Sequence, residues 1–95
     1  MKRRLMTEGE INAALTRLEG WSVKENALHK RYEFADFAAA LEFVNKAAAQ
    51  AEAADHHPDI KLGWGYAEFA ITTHDCGGIT ELDISLAQEI DRVKI

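Results

Sequence analysis

Cysteine and proline are almost absent from this sequence, and it has no long apolar run. The 95 residues include one cysteine, Cys76, and one proline, Pro58. A single cysteine excludes an internal disulfide and a thiol-rich zinc site, and it fits a reducing cytoplasm. No apolar stretch approaches the roughly 20 residues that a membrane-spanning helix needs. The sequence therefore predicts a cytoplasmic protein that does not cross a membrane.

Positive charge is also scarce. The chain has 11 lysines and arginines against 16 aspartates and glutamates, which gives a formal net charge of −5. Proteins that bind nucleic acid normally present a basic face, so this balance argues against a nucleic-acid partner. We interpret the basic cluster Lys2-Arg3-Arg4 as a solubilising tail. A hydrophobic share of 47% is ordinary for a packed chain, and residues 1–95 are expected to form one small domain.

The first part of the chain has the pattern of a helix followed by a β-hairpin. Thr7 and Glu10 have the form of a capping box, and the helix that they open is expected to end at Gly20. Two strands follow, with Glu25-Asn26 as the turn between them. The solvent face of the second strand is expected to carry His29, Arg31 and Glu33.

A long, alanine-rich helix is predicted next. Asp36 is a good N-cap for it. Pro58 must stop it near Asp55, because the residue before a proline is pushed out of the α region. The predicted apolar stripe of this helix consists of Phe37, Leu41, Val44, Ala48 and Ala51.

The last part of the chain predicts a second hairpin, a loop and a helix. Gly65 lies where a tight hairpin needs a permissive backbone. Thr80 and Asp83 have the form of a capping box for the last helix, whose predicted stripe is Leu82, Leu86, Ile90 and Val93. The element order is α-β-β-α-β-β-α, which predicts an α+β fold with a four-stranded antiparallel sheet and three helices packed on one face.

Two adjacent histidines precede the proline, in the stretch EAADHHPDI. Glu52 and His56 are four residues apart, so they share a face if the helix continues that far. His57 is extended because it precedes proline, and its ring is expected to point away from that of His56. His74 ends the last strand. Together with Trp64, these side chains are predicted to line a cleft for a flat, hydrogen-bonding ring.

Less specific explanations exist for the same residues. The adjacent pair is also compatible with ordinary polarity at a helix end, His74 with a loop edge, and Asp83 with capping alone. Three histidines and a carboxylate could make a zinc site, but an extended His57 converges poorly with His56 on one ion. Cys76 is a weak candidate nucleophile, because no residue pattern in the sequence indicates a general base directed at its thiol.

In order and spacing, these residues resemble the signature of the pterin-4a-carbinolamine dehydratases. That signature is an acidic or polar residue, three residues, His-His-Pro, an aromatic residue, a histidine and an aspartate. The residues that match it here are Glu52, His56, His57, Pro58, Trp64, His74 and Asp83. The segments THDCGG and TELDISLA are also similar to the family, so the resemblance covers nearly the whole chain.

The resemblance implies an enzyme that dehydrates 4a-hydroxytetrahydropterin to quinonoid dihydropterin and recycles the pterin of aromatic amino acid hydroxylases. It implies catalysis by His56, His57 and His74, no metal or organic cofactor, and a homodimer or homotetramer. In this hypothesis, His56 or His74 protonates the departing hydroxyl, while His57 positions the ring or accepts the nitrogen proton. The residues implied to bind the substrate are Glu52, Pro58, Trp64 and Asp83.

One residue, Ile60, departs from the family pattern. Two other functions are also compatible with the family resemblance. Ile60 stands where many animal members have a tryptophan, so an aromatic wall is missing at that position. Animal relatives also act as dimerisation cofactors of a homeodomain transcription factor, which makes a non-catalytic binding module the first alternative. The second is a pterin-related role that supports molybdopterin enzymes. Three retained histidines favour catalysis over a pure scaffold.

Overall fold

The computed structural model describes residues 4–94, which form three α-helices and a four-stranded antiparallel sheet. The elements are α1 (Glu8–Leu15), β1 (Ser22–Lys24), β2 (Ala27–Glu33), α2 (Phe37–Ala54), β3 (Asp59–Gly63), β4 (Tyr66–Ile71) and α3 (Glu81–Asp91). The strands lie in the order β1-β2-β4-β3. The predicted fold class and element order are confirmed. Lys2 and Arg3 of the basic cluster lie outside the described residues.

Two tight hairpins fix the register of the sheet. Glu25 and Asn26, with φ of 52° and 61°, connect β1 to β2. Trp64 and Gly65 connect β3 to β4, and Gly65 has φ of 77°. Positive φ at both turn residues, as at Glu25 and Asn26, matches the twist of antiparallel strands. Both predicted turns are confirmed. Among the described helices, none has the length and hydropathy to cross a bilayer.

One face of the sheet carries the core and the other faces solvent. The central pair β2–β4 places Leu28 opposite Ile71, and both side chains are fully buried under the helices. Side chains at the alternate positions of these strands point to the opposite, solvent-facing side of the sheet. There Arg31 pairs with Glu33 and Glu68, as expected of a solvated sheet face.

The apolar stripe predicted for α2 is confirmed at Ala51, which is buried, and at Val44, which packs against the core, but it is wrong at Phe37, Leu41 and Ala48, which are exposed. The side chains that α2 buries against the sheet are Ala40, Phe43, Ala47 and Ala51. Phe37 and Leu41 are 42% and 39% exposed, on a different face of the helix. The prediction was based on the largest apolar side chains. In the structure, α2 instead packs its alanines against the sheet, because small side chains allow close packing around the ring of Phe43.

Helix α1 opens as predicted but ends early. Its capping box between Thr7 and Glu10 is formed, and the helix ends at Leu15 instead of Gly20. Tighter i→i+3 hydrogen bonds follow, such as Leu18 N–H to the Leu15 carbonyl at 3.2 Å. Leu18 thereby reaches the core, and Gly20 turns the chain towards β1 with φ of 84°.

Asp91, the last residue of α3, joins this helix to the sheet. Its carboxylate accepts hydrogen bonds from Trp21 Nε1 at 3.0 Å, from Lys30 Nζ at 2.9 Å and from the Tyr32 hydroxyl. Lys30 Nζ also lies 4.7 Å from the centre of the Tyr32 ring, within cation–π range. Burial, followed by the hydrogen bond to Asp91, raises the pKa of Tyr32 well above its usual range. These contacts attach the C-terminal end of α3 to β2 and to the residue that precedes β1.

Helix α3 begins and packs largely as predicted. Its capping box between Thr80 and Asp83 is formed. Of the predicted stripe, Leu86 and Ile90 are buried, and Ile84 and Ala87 are buried beside them. The α3 N-terminus is thus held firmly against the end of the sheet, and this determines where Asp83 lies.

Candidate active site

The three candidate histidines lie along one cleft at one end of the sheet. The cleft has a volume of about 220 Å³ and is lined by Asp55, His56, His57, Thr72, Thr73, His74 and Asp75. Its walls come from the chain between α2 and β3 and from the chain that follows β4. These segments meet because β3 and β4 are antiparallel, which brings the start of β3 beside the end of β4.

Asp55 ends α2 and sets the direction of the histidines that follow. It is in the left-handed conformation, with φ of 52° and ψ of 40°. Its amide donates to the Glu52 carbonyl at 3.1 Å, and the His56 amide donates to the Ala51 carbonyl at 3.1 Å. This is the closure of a Schellman motif, in which the chain leaves the helix axis. Helical spacing therefore no longer decides which side chains meet Glu52.

His56 lies beside Asp83, not beside Glu52. Its Nε2 is 2.5 Å from Asp83 Oδ1, and only 11% of the imidazole is exposed. The predicted pairing of His56 with Glu52 is wrong, because it required α2 to continue through His56. The helix ends at Ala54, and the turn at Asp55 directs the imidazole towards the first turn of α3.

His57 is the partner of Glu52. Its Nε2 is 2.6 Å from Glu52 Oε1, and the two side chains are 58% and 80% exposed. The two adjacent histidines are thus aimed differently, as predicted, one into the protein and one towards solvent. Each has one carboxylate partner on a different helix.

Asp83 is a capping residue and a neighbour of the cleft at the same time. Its side chain is fully buried. Oδ2 accepts hydrogen bonds from the Thr80 amide at 2.7 Å and from Thr73 Oγ1 at 2.9 Å, while Oδ1 faces His56. Asp83 does not itself line the cleft. Thr73 was not predicted from the sequence. The one feature that could have indicated it is its position directly before His74.

His74 opens a short 3₁₀ helix, His74–Cys76, rather than ending β4, which stops at Ile71. An isolated bridge between Thr73 and Gly78 closes this loop, and its turn uses Gly77 with φ of 76°. The His74 side chain is exposed at the rim of the cleft. Cys76 is a half-buried free thiol that does not line the cleft.

Three other residues singled out in the sequence lie apart from the cleft lining. Trp64 is 72% exposed in the turn between β3 and β4. Pro58 follows His57 through a trans peptide bond and is half-buried. Ile60 packs against the core, so the residue that departs from the family pattern contributes to the fold. The structure brings neither Trp64 nor Pro58 into the cleft lining.

The donor atoms around the cleft are not arranged for a metal ion. Within residues 4–94, no group of three or more histidine, cysteine, aspartate or glutamate side chains converges on one point. The Nε2 atoms of His56 and His57 each face a carboxylate, and these carboxylates belong to different helices. The two imidazoles therefore have distinct hydrogen-bond environments that suit proton transfer.

The fold and the cleft together define an α+β protein with three histidines at one end of an antiparallel sheet. Comparison with known families makes this more specific: the model of the pterin 4 alpha carbinolamine dehydratase family matches residues 4–93. The chain belongs to this family. A protein of Nostoc punctiforme, named provisionally as such a dehydratase, is 46% identical over 90 residues, which span 95% of this chain and 97% of that protein. A Sulfurisphaera tokodaii protein with the same provisional name is 42% identical over 88 residues, or 93% and 95% of the two chains.

Two solved structures share the fold. A transcriptional coactivator/pterin dehydratase from Brucella melitensis superposes with a TM-score of 0.89 at 36% identity, over 93% of this chain and 96% of that chain. A pterin dehydratase-like protein described as a RuBisCO assembly factor of the α-carboxysome superposes with a TM-score of 0.62 at 25% identity. That match covers 75% of this chain and 82% of the other. The same fold is thus described in proteins with different roles.

Proposed function

We propose that the protein dehydrates 4a-hydroxytetrahydropterin to quinonoid dihydropterin, and that this product is recycled for aromatic amino acid hydroxylases. The observation that carries the proposal is the meeting of His56, His57 and His74 along one cleft. Membership of the dehydratase family supports it. A flat pterin ring with several hydrogen-bonding edges is a suitable ligand for a cleft lined by imidazole, hydroxyl and carboxylate groups.

The reaction needs one proton delivered and one removed. The bond between the ring carbon and the departing hydroxyl breaks as that hydroxyl gains a proton, and a ring nitrogen loses a proton. His56 or His74 protonates the hydroxyl in this proposal, and His57 accepts the nitrogen proton. Glu52, 2.6 Å from His57, stabilises the imidazolium that forms. Proton transfer of this kind needs neither a metal nor an organic cofactor, so activity should survive dialysis against a chelator.

The test is the absorbance change of 4a-hydroxytetrahydropterin with wild type and single variants. Histidine-to-alanine changes at His56, His57 and His74 should each lower kcat, with losses of about 10²–10⁴-fold for a proton donor or acceptor. His29→Ala is the matched control, because it removes the remaining histidine of the chain from the open face of the sheet. Near-normal turnover in all three cleft variants would rule out the mechanism.

A second candidate is a binding function, carried by the exposed apolar side chains of α2. Phe37 and Leu41 face solvent in the single chain, and the solved relatives are described as a coactivator and an assembly factor. We propose that this face forms the contact of a homodimer or homotetramer. Analytical ultracentrifugation of wild type and Leu41→Ser tests this: an oligomer that dissociates in the variant supports it. A protein that oligomerises but gives no acceleration of dehydration would favour the binding function alone.

A further inference from the structure

Asp83 is the end of a chain of buried hydrogen bonds whose donors can be assigned. The Leu82 amide donates to Thr80 Oγ1 at 3.2 Å. Thr80 Oγ1 and Thr73 Oγ1 are 2.8 Å apart, and Thr73 Oγ1 is 2.9 Å from Asp83 Oδ2. Each hydroxyl has one proton to give. Because Thr73 gives its proton to the carboxylate, Thr80 must give its own to Thr73.

The ionised carboxylate of Asp83 accepts two hydrogen bonds on Oδ2 and carries no proton, so Oδ1 can also only accept. Its Oδ2 accepts from Thr73 Oγ1 and from the Thr80 amide at 2.7 Å, and an amide can only donate. Oδ1 then remains an acceptor towards His56 Nε2, at 2.5 Å. A neutral imidazole holds one proton, so the proton must lie on Nε2 and Nδ1 must be the unprotonated nitrogen.

The other nitrogen of His56 is accessible from the cleft. Within residues 4–94, Nδ1 of His56 has no hydrogen-bond partner, and no buried side-chain nitrogen or oxygen lacks one. The imidazole is 11% exposed and lines the cleft, so we infer that Nδ1 reaches the surface on the cleft side. The nitrogen presented to a bound molecule is thus a hydrogen-bond acceptor in the neutral ring and a proton donor in the protonated ring.

We propose that Asp83 and Thr73 are positioning residues that fix His56 in its Nε2–H tautomer and present Nδ1 to the substrate. This rests on the proposed dehydratase function and assigns His56 one reactive atom. It also changes the role expected for Asp83, from binding the substrate to orienting an imidazole that does.

Thr73 has a second connection, which makes it more than a support for Asp83. Its carbonyl accepts hydrogen bonds from the Cys76 and Gly77 amides, both at 3.0 Å, and these bonds shape the 3₁₀ turn that begins with His74. One residue thus orders the loop of His74 through its backbone and, through its hydroxyl, the Asp83 carboxylate that faces His56. The two effects can be separated, because a side-chain substitution removes only the second.

The first experiment needs no substrate. In protein labelled with ¹⁵N-histidine, the ring nitrogen shifts of neutral His56 are expected to show a proton on Nε2 and none on Nδ1. In Asp83→Asn, the side-chain amide must face Nε2 if its oxygen keeps the Thr80 amide, so the proton should move to Nδ1. A wild-type ring protonated on Nδ1 overturns the proposal, whatever the protein catalyses.

The second experiment measures kinetics in variants of Thr73. Thr73→Val keeps the shape but loses the hydroxyl that holds the Asp83 carboxylate. We expect the tautomer to remain, because the carboxylate can still only accept, but the ring to be held less firmly, with a fall in kcat of about tenfold and a smaller change in KM. Thr73→Ser keeps the hydroxyl and should restore kcat. Equal kcat values for the valine and serine variants overturn the role of Thr73. If wild type shows no dehydration at all, the proposed function fails, while the spectra still decide the positioning.

Discussion

His57 Nε2 lies 2.6 Å from Glu52 Oε1, although the two residues are five positions apart and α2 ends between them. The pair is exposed to solvent, so the hydrogen bond itself contributes little to the stability of the fold. Its importance lies in the direction that it gives to the imidazole. A fixed ring orientation has value for proton transfer, where placement of the accepting nitrogen decides the rate.

Glu52→Gln is therefore expected to act through His57. We expect a fall in kcat of about tenfold, with little change in the free energy of unfolding. In a double-mutant cycle, Glu52→Gln added to His57→Ala should cause almost no further loss, because the residue on which it acts is gone. Additive losses would show that Glu52 contacts the substrate independently.

The packing of α2 predicts opposite effects at two adjacent alanines. Ala47→Leu places a large side chain in the fully buried contact with the sheet, and we expect a loss of about 1–3 kcal/mol in unfolding free energy. Ala48→Leu is the matched control, since Ala48 is exposed and changes there are usually worth less than about 0.5 kcal/mol. Urea denaturation measures both. The reverse order of stabilities would mean that the stripe read from the sequence was the buried one after all.

Removing the carboxylate of Asp91 should weaken the contact between α3 and the sheet. Asp91→Ala loses hydrogen bonds to Trp21, Lys30 and Tyr32, and we expect a loss of about 2–3 kcal/mol. Glu89→Ala removes an exposed carboxylate of the same helix, which pairs only with Arg92 among the described residues. Thermal unfolding should therefore distinguish the two variants clearly, and equal shifts in Tm would contradict a specific role for Asp91.

Glu10 gives the fold a dependence on acidic pH. The hydrogen bond from Arg4, followed by that from the Thr7 amide, lowers the pKa of Glu10 from 4.5 to about 2. A carboxyl group with a depressed pKa stabilises the folded state above its unfolded pKa, and this contribution is lost as the pH falls through the folded value. The contribution of Glu10 should thus disappear between about pH 4.5 and pH 2.

The measurement is an NMR titration of the Glu10 side chain, with Arg4→Gln as the comparison. Without the guanidinium, the pKa of Glu10 should move back towards its ordinary value, and the acid unfolding midpoint should rise. An unchanged titration curve in Arg4→Gln would show that the Thr7 amide alone holds the pKa down. Arg17→Gln likewise removes one positive charge from an exposed residue and controls for the change in net charge.

Local signals in the sequence predict most of the fold. Asp36 caps α2 with its side chain, Gly65 takes the positive φ that the hairpin needs, and Thr80 pairs with Asp83. Each of these depends on residues within three or four positions. The buried face of α2 could not be predicted in the same way, because the choice between two apolar faces depends on a sheet formed by residues distant in the chain.

The site shows the same division between local and distant information. The histidines of the cleft follow from the motif, and the different aims of His56 and His57 follow from the proline. The identity of their carboxylate partners does not, because it depends on the left-handed turn at Asp55, a residue for which glycine would be the more usual choice. Thr73 was missed because its hydroxyl partner, Thr80, belongs to another element.

The capping box of α3 has a consequence for how the protein fails on heating. Asp83 lies in the first turn of this helix, and the hydrogen bonds that it accepts from Thr73 and Thr80 are buried. A helix end packed in this way is expected to open at a free energy close to that of the whole protein, unlike an exposed end that frays. The orientation of His56 should therefore persist until the fold itself unfolds, so the proposed activity and the global structure should share one thermal limit.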